Sequence, residues 1–152
     1  MLSLILMASM LVFVTMAIQI VFVVLMIRRI SKMVHDDKWD TANFIFDVFA
    51  MGIVLLTLFL GHMVQISVWA ALFLNLGQFD VFSSAFYHST VNFTSLGYGD
   101  IVMSDKWRLL GALEAANGVL MFGLSTGTIL SVMNRLFSHH VSQETSSKGK
   151  AN

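Results

Sequence analysis

The sequence TSLGYGD at residues 94–100 decides the fold of this chain, because it interrupts long apolar segments with two glycines around a tyrosine. A Gly-Tyr-Gly triplet alone is often an ordinary turn, but the setting here is unusual. The roughly 15 residues before it, from Asp80 to Thr94, predict a helix with Asp80 as its N-cap. A helix of that length measures about 22 Å; it is too polar to cross a bilayer and long enough to re-enter it halfway. Non-helical backbone at membrane depth persists only where protein or water surrounds it, so the stretch is predicted to line a pore.

The composition of the chain indicates a membrane protein. Hydrophobic residues make up 57% of its 152 residues and charged residues 12%, whereas soluble domains have about 45–50% and roughly 25%. Nine basic residues balance nine acidic ones, so net charge does not favour a nucleic-acid partner. Cysteine is absent, which excludes disulfides, thiolate metal sites and cysteine nucleophiles.

Three apolar segments are long enough to span a bilayer, which takes about 20 residues. The first covers residues 1–27 and lacks the basic start and cleavage site of a signal peptide. The second covers residues 48–76 and the third covers residues 107–137. Residues 28–47 are predicted to form a cytoplasmic connector with an interfacial segment, and residues 138–152 a disordered cytoplasmic tail.

Basic residues set the predicted orientation in the membrane. Arg28, Arg29 and Lys32 follow the first span directly, which places the connector in the cytoplasm by the positive-inside rule. We therefore expect a multi-pass protein of the cell membrane with its N-terminus outside and its C-terminus in the cytoplasm. The segment that contains TSLGYGD then lies on the external side.

The order of a spanning helix, a short re-entrant helix, TSLGYGD and a returning helix resembles the pore domain of potassium channels. The likeness covers residues 48–136 and is closest to short bacterial ion-channel proteins that carry an extra N-terminal helix. His62, residues 69–70, the GYGDI run at 97–101 and LEAANG at 113–118 are similar to the usual pattern of those proteins. The resemblance implies an all-α membrane protein with three transmembrane helices per chain, assembled as a homotetramer in the lipid bilayer.

The resemblance also implies the parts of the pore domain, which would cover residues 48–137 in all. These parts are an outer helix at 48–76, a pore helix at 80–94, a selectivity-filter loop at 95–100 and an inner helix at 107–137.

By resemblance, K⁺ binds the backbone carbonyls of Ser95, Leu96, Gly97 and Tyr98, together with the Ser95 hydroxyl. Carbonyl oxygens replace the hydration shell of a cation, and glycine permits the positive φ that turns successive carbonyls to one side. Each chain carries one such stretch, so a closed ring needs four chains. The family usually has Thr and Val where this chain has Ser95 and Leu96, so the strictness of selection against Na⁺ stays open. No cofactor is expected besides the permeant ion.

Further residues are predicted to support the filter: Thr94, Gly99, Asp100, Tyr87, His88 and Glu114. His88 stands beside Tyr87 where many family members have two aromatic residues, so it is expected to alter the hydrogen bonds that brace Tyr98. A partly buried neutral histidine is the alternative. Glu114 is the only acidic residue inside a predicted span, and we expect it to brace the back of the pore helix. His62 and Gln65 are alternative partners for that carboxylate.

The third span is also predicted to contain the gate. Gly118 lies where the resemblance implies an inner-helix hinge, and the chain has no proline that would serve instead. Helical spacing puts Phe122, Thr126 and Leu130 on one face, where they would line the cavity. An ordinary packing stripe of small and apolar residues is the alternative.

The predicted function is passive K⁺ conduction without a voltage sensor or a ligand-binding domain. A nucleophile–base motif of an enzyme is not visible in the sequence. Two alternatives remain close to this interpretation: a weakly selective cation channel, and a nonconducting membrane subunit that modulates another channel. A third is a membrane redox or metal protein that uses its histidines, namely His62, His88, His139 and His140.

Overall fold

The computed structural model describes residues 2–35 and 44–149 of the chain. Four helices make up this part of the chain, and no strand occurs within it. The predicted connector therefore falls largely on residues 36–43, which lie outside the described residues, as do residues 150–152 of the predicted tail. The helices are α1 (Leu2–His35), α2 (Phe44–Asn75), α3 (Phe82–Phe93) and α4 (Arg108–Gly149).

Three of the helices have the length and apolar composition to cross a membrane. Their candidate spans are Leu4–Ile30 in α1, Asp47–Asn75 in α2 and Arg108–Asn134 in α4. Helix α3 has 12 residues and measures about 18 Å, which is too short to cross. The predicted all-α membrane fold, with three spans and a short helix between the last two, is confirmed.

The helices extend beyond the predicted apolar limits. Helix α1 continues to His35 instead of ending at residue 27, and α4 continues to Gly149 through most of the segment predicted to be a disordered tail. Each residue added to an existing helix gains a backbone hydrogen bond at little further cost, and no proline interrupts either extension. The prediction followed side-chain polarity, which determines where a helix leaves lipid but not where it ends.

The start of α3 differs from the prediction. Val81 is the N-cap residue, and no side chain caps this terminus, so Asp80 does not have the predicted role. The first turn is closed instead by the backbone, where Ala85 N–H donates to Val81 O at 3.3 Å. Asp80 precedes Val81 and so lies one position too early to cap the helix.

The helices pack around α2 and α4. Helix α1 contacts both of them, and α3 lies against the same two helices at one end of the bundle. At that end the buried core includes Trp69, Phe73, Phe93 and Leu110. A smaller cluster fills the opposite end and consists of Met26, Val54, Leu58 and Val132. This packing fixes the C-terminal end of α3, from which the TSLGYGD segment continues.

Candidate functional site

The backbone of the TSLGYGD segment alternates in handedness. The φ angles of Ser95, Gly97 and Gly99 are 58°, 63° and 71°, whereas Leu96 and Tyr98 between them have negative φ. Alternation with this period turns successive peptide units so that their carbonyls share one side. The segment is therefore an ordered row of carbonyl groups, for which we use the name signature loop (residues 94–101).

The carbonyls of the signature loop are available for a ligand. The N–H groups at the start of the loop are hydrogen-bonded to α3: Ser95 N–H donates to Asn92 O at 2.8 Å, and Leu96 N–H donates to Val91 O at 2.9 Å. Within residues 2–35 and 44–149, the carbonyls of residues 95–99 accept no backbone hydrogen bond. A carbonyl that lacks a backbone partner needs another one. Because carbonyl oxygens carry partial negative charge, a row of them suits a cation.

The positive φ of Ser95 is a feature of the loop that sequence reasoning missed. A residue other than glycine at φ 58° is uncommon and costs on the order of 1–3 kcal/mol. The prediction assigned positive φ to glycines alone. The signal was present in the spacing, because Ser95 lies two residues before Gly97, which in turn lies two before Gly99.

Two glycines of α4 determine how closely that helix approaches the end of α3. A Cβ on Gly118 would overlap the carbonyl oxygen of Phe93 and lie 2.7 Å from its carbonyl carbon. A Cβ on Gly111 would lie 2.8 Å from Asn92 Nδ2. Helix α4 is continuous through both positions. Gly118, predicted as a hinge, is thus a contact point that supports the residue two positions before Ser95.

The C-terminal end of the signature loop is tied to α3 by one short hydrogen bond. Tyr87 Oη donates to Asp100 Oδ2 at 2.7 Å. This bond lowers the pKa of Asp100 and, from the other side, raises the pKa of Tyr87, because it favours the carboxylate and the protonated phenol. Tyr87 and Asp100 therefore hold this end of the loop against α3 while Asp100 is ionised.

His88 ties the next residue of the loop to the same helix. Its Nδ1 lies 2.9 Å from Ile101 O, and its Nε2 lies 2.8 Å from Asn92 Nδ2. A carbonyl can only accept, so Nδ1 carries the proton and Nε2 accepts from the Asn92 amide. Burial lowers the pKa of His88, which favours this neutral tautomer. The partners of His88 are thus Ile101 and Asn92, rather than Tyr98.

Glu114 lies behind α3 and is fully buried. Asn92 Nδ2 donates to Glu114 Oε2 at 3.4 Å, so the same amide contacts both His88 and Glu114. Together Ile101, His88, Asn92 and Glu114 form what we call the bracing chain, which runs from the loop through α3 to α4. Asn92 was missed from the sequence, although it lies four residues after His88 and hence on the same helical face.

The alternative partners proposed for Glu114 have other contacts. His62 Nε2 lies 3.1 Å from Ser125 Oγ, and Gln65 Nε2 donates to Gln19 Oε1 at 2.6 Å. Among the described residues, no group of three or more His, Asp or Glu side chains is arranged to hold a metal ion. The side chains of residues 139 and 140 lie outside the described part of the chain.

The residues predicted to line a cavity share an open face of α4. Phe122 and Leu130 are 40% and 57% exposed in the single chain, and Thr126 is exposed between them. The Thr126 hydroxyl donates to Phe122 O at 2.9 Å, so its hydrogen bond stays within the helix. Phe122 also packs against the rings of His62 and Phe93, at centroid distances of 5.0 and 5.8 Å.

A spanning helix, a short helix, a loop of alternating handedness and a second spanning helix define a pore-loop membrane protein. A family model described as "ion channel" matches residues 52–135, which is more than half of the chain. The chain belongs to this ion channel family. The match begins inside α2 and ends inside α4, so α1 lies outside it. No curated protein and no solved structure matches the chain significantly.

Proposed function

We propose that four copies of this chain form a potassium channel whose filter is built from the backbone carbonyls of Ser95, Leu96, Gly97 and Tyr98. The observation that carries the proposal is the alternation of positive φ at every second residue of the signature loop. Four such loops around one axis close the carbonyl rows into rings. Rings of carbonyls can replace the hydration shell of K⁺ and let the ion pass down its gradient.

The single chain leaves the loop incomplete, which supports assembly around an axis. Leu96 is 54% exposed and Tyr98 is 67% exposed, although non-helical backbone at membrane depth is tolerated only where protein or a water-filled cavity surrounds it. In the proposed homotetramer these side chains pack against neighbouring chains. Within one polypeptide, the proposed filter is supported by the bracing chain and by the hydrogen bond between Tyr87 and Asp100. Thr94 and Gly99 flank the filter at its two ends.

The proposed orientation puts the filter at the outer side of the membrane. Arg28, Arg29 and Lys32 are exposed near the end of α1, where basic residues favour the cytoplasmic side. The N-terminus is then external and the C-terminus cytoplasmic. The face formed by Phe122, Thr126 and Leu130 lines the cavity below the filter and narrows it as a gate.

The experiment that tests the proposal is a reversal-potential measurement on purified protein reconstituted in planar bilayers. With equal concentrations of K⁺ on one side and Na⁺ on the other, we expect the current to reverse at a potential far from zero, because K⁺ permeates more readily than Na⁺. A current that reverses near zero would favour the weakly selective cation channel. Intact protein without current would favour the nonconducting subunit.

The chain offers a matched pair of glycines for this measurement. Gly97 and Gly77 have φ of 63° and 66°, and a Cβ on either meets no atom within 4 Å. Alanine therefore adds similar backbone strain at both positions, about 1–2 kcal/mol. We expect Gly97→Ala to abolish K⁺ current and Gly77→Ala to retain it. Equal currents in the two variants would contradict the assignment of the filter.

A further inference from the structure

Helix α1 lies outside the ion-channel family match, yet it buries two polar side chains within its apolar span. Thr15 and Gln19 are both 0% exposed. A polar side chain within a membrane helix is expensive unless it finds a partner, and such residues commonly join helices. Their partners therefore indicate what α1 holds in place.

Gln19 uses both ends of its amide to join two other helices. Its Oε1 accepts from Gln65 Nε2 on α2 at 2.6 Å, and its Nε2 donates to Ser125 Oγ on α4 at 3.1 Å. One helical turn before Gln65 on α2 lies Gly61, where a Cβ would be 2.8 Å from Gln19 Oε1. The glycine at this position leaves the space that the Gln19 amide occupies.

The hydrogen bonds continue from Ser125 back to α2. Ser125 Oγ accepts from Gln19 Nε2 and also forms a hydrogen bond with His62 Nε2 at 3.1 Å. Gln65, Gln19, Ser125 and His62 thus form a polar circuit from α2 through α1 and α4 and back to α2. All four are buried, with exposures of 0% for Gln65 and Gln19, 6% for Ser125 and 7% for His62.

The polar circuit ends against the proposed cavity face. The imidazole of His62 packs on Phe122 with ring centroids 5.0 Å apart, and Ser125 directly precedes Thr126 in α4. A shift of Gln19 would therefore be transmitted to two residues of that face through Ser125 and His62.

A second contact places α1 across the predicted hinge. Asn117 Nδ2 donates to Thr15 Oγ1 at 3.0 Å, and Asn117 is the residue before Gly118. Ser125 lies about 12 Å further along α4 than Asn117, on the other side of Gly118. Helix α1 is thus bonded to α4 on both sides of Gly118 and opposes bending there.

We infer that Gln19 is a positioning residue for the gate, which holds α4 straight across Gly118 by bonding Ser125 to α1 and α2. This inference rests on the proposed channel function and adds a role for the helix that the family match omits. Loss of the Gln19 amide releases the part of α4 after Gly118 from its hydrogen bond to α1. Bending at Gly118 then moves Phe122 away from the axis and opens the pore.

The test compares single-channel recordings of Gln19→Leu, Ser125→Ala and the double variant in bilayers. We expect each single variant to raise the open-to-closed ratio about threefold to tenfold, as one or two interhelical hydrogen bonds would. Unit conductance and K⁺ selectivity stay unchanged, because the filter is not touched. The effects of the two single changes add up to more than that of the double variant, since both break the bond between Gln19 and Ser125 and the double variant loses it only once. Ser125→Ala removes one oxygen only, which keeps the test informative if Gln19→Leu folds poorly.

Thr57→Val is the matched control for loss of a polar group in a span. The Thr57 hydroxyl donates to Ile53 O at 2.7 Å within its own helix, so its removal breaks no bond between helices. We expect its gating to match the wild type. An unchanged or lower open-to-closed ratio in both Gln19→Leu and Ser125→Ala would overturn the inference while leaving the channel proposal intact. Absence of wild-type current would overturn both.

Discussion

Gly118→Ala should damage the filter, because the contact that it disturbs is with backbone. The added Cβ would overlap Phe93 O and lie 2.7 Å from the carbonyl carbon. Neither atom belongs to a side chain that can rotate away, so α3 or α4 must shift by about an ångström. Overpacking of this kind costs roughly 1–3 kcal/mol or more, against a gain of about 1 kcal/mol when alanine replaces glycine in a helix.

The shift has a direct route to the ion path. Phe93 is fully buried and lies two residues before Ser95, so its displacement moves the first carbonyl of the proposed filter. We expect Gly118→Ala to lower K⁺ current at least tenfold in bilayers and to reduce the thermal stability of the purified protein by several degrees.

Gly52→Ala and Gly123→Ala are the controls for this prediction. Both glycines lie within helices, and a Cβ on either meets no atom within 4 Å of the single chain. Any effect of helix propensity is common to all three variants, so the difference reports the contact with Phe93. Wild-type current and stability in Gly118→Ala would refute the contact argument and would also weaken the proposed position of the filter.

Three further substitutions test the supports of the filter. Tyr87→Phe removes the hydrogen bond that lowers the pKa of Asp100, so the carboxylate takes up a proton at a higher pH. When current is recorded against external pH, it should fall at a higher pH in this variant than in the wild type. Ser95→Gly relieves a left-handed residue but loses the hydroxyl, so the protein should gain thermal stability while its K⁺/Na⁺ permeability ratio falls. Glu114→Gln can turn its own amide toward Asn92 in place of the carboxylate acceptor, and sustained current should decline; unchanged conductance, selectivity and tetramer stability would show that Glu114 is not a brace.

The sequence was sufficient for the spans and for the position of the loop. Span lengths follow from runs of apolar residues, and the loop follows from glycines placed where a helix cannot continue. The contact of Glu114 with α3 was also accessible, because counting residues along α4 gives the depth of its carboxylate. These features depend on distance along the chain, which a sequence contains directly.

Features that depend on contacts between helices were not accessible in this way. Gln19 was visible only as a polar interruption of the first span, and nothing in the order of residues identifies Gln65 or Ser125 as its partners. Gly118 was interpreted as a hinge because glycine favours bending, and the sequence did not reveal that its missing side chain also makes room for the Phe93 carbonyl. Small residues in a membrane helix can serve both purposes, and the contact becomes visible only with the facing helix in place.

The two glycine-dependent features, the contact at Gly118 and the alternation in the loop, belong to one mechanical unit. Gly118 lets α4 contact the last residue of α3, and the next residues of the chain begin the alternating backbone at Ser95. The polar circuit meets α4 two turns beyond Gly118. In the proposed channel, Gly118 keeps its contact with Phe93 while the part of α4 after Gly118 carries Phe122. Bending at Gly118 therefore moves the proposed gate and leaves the support of the proposed filter in place, with α1 setting how readily that part of α4 moves.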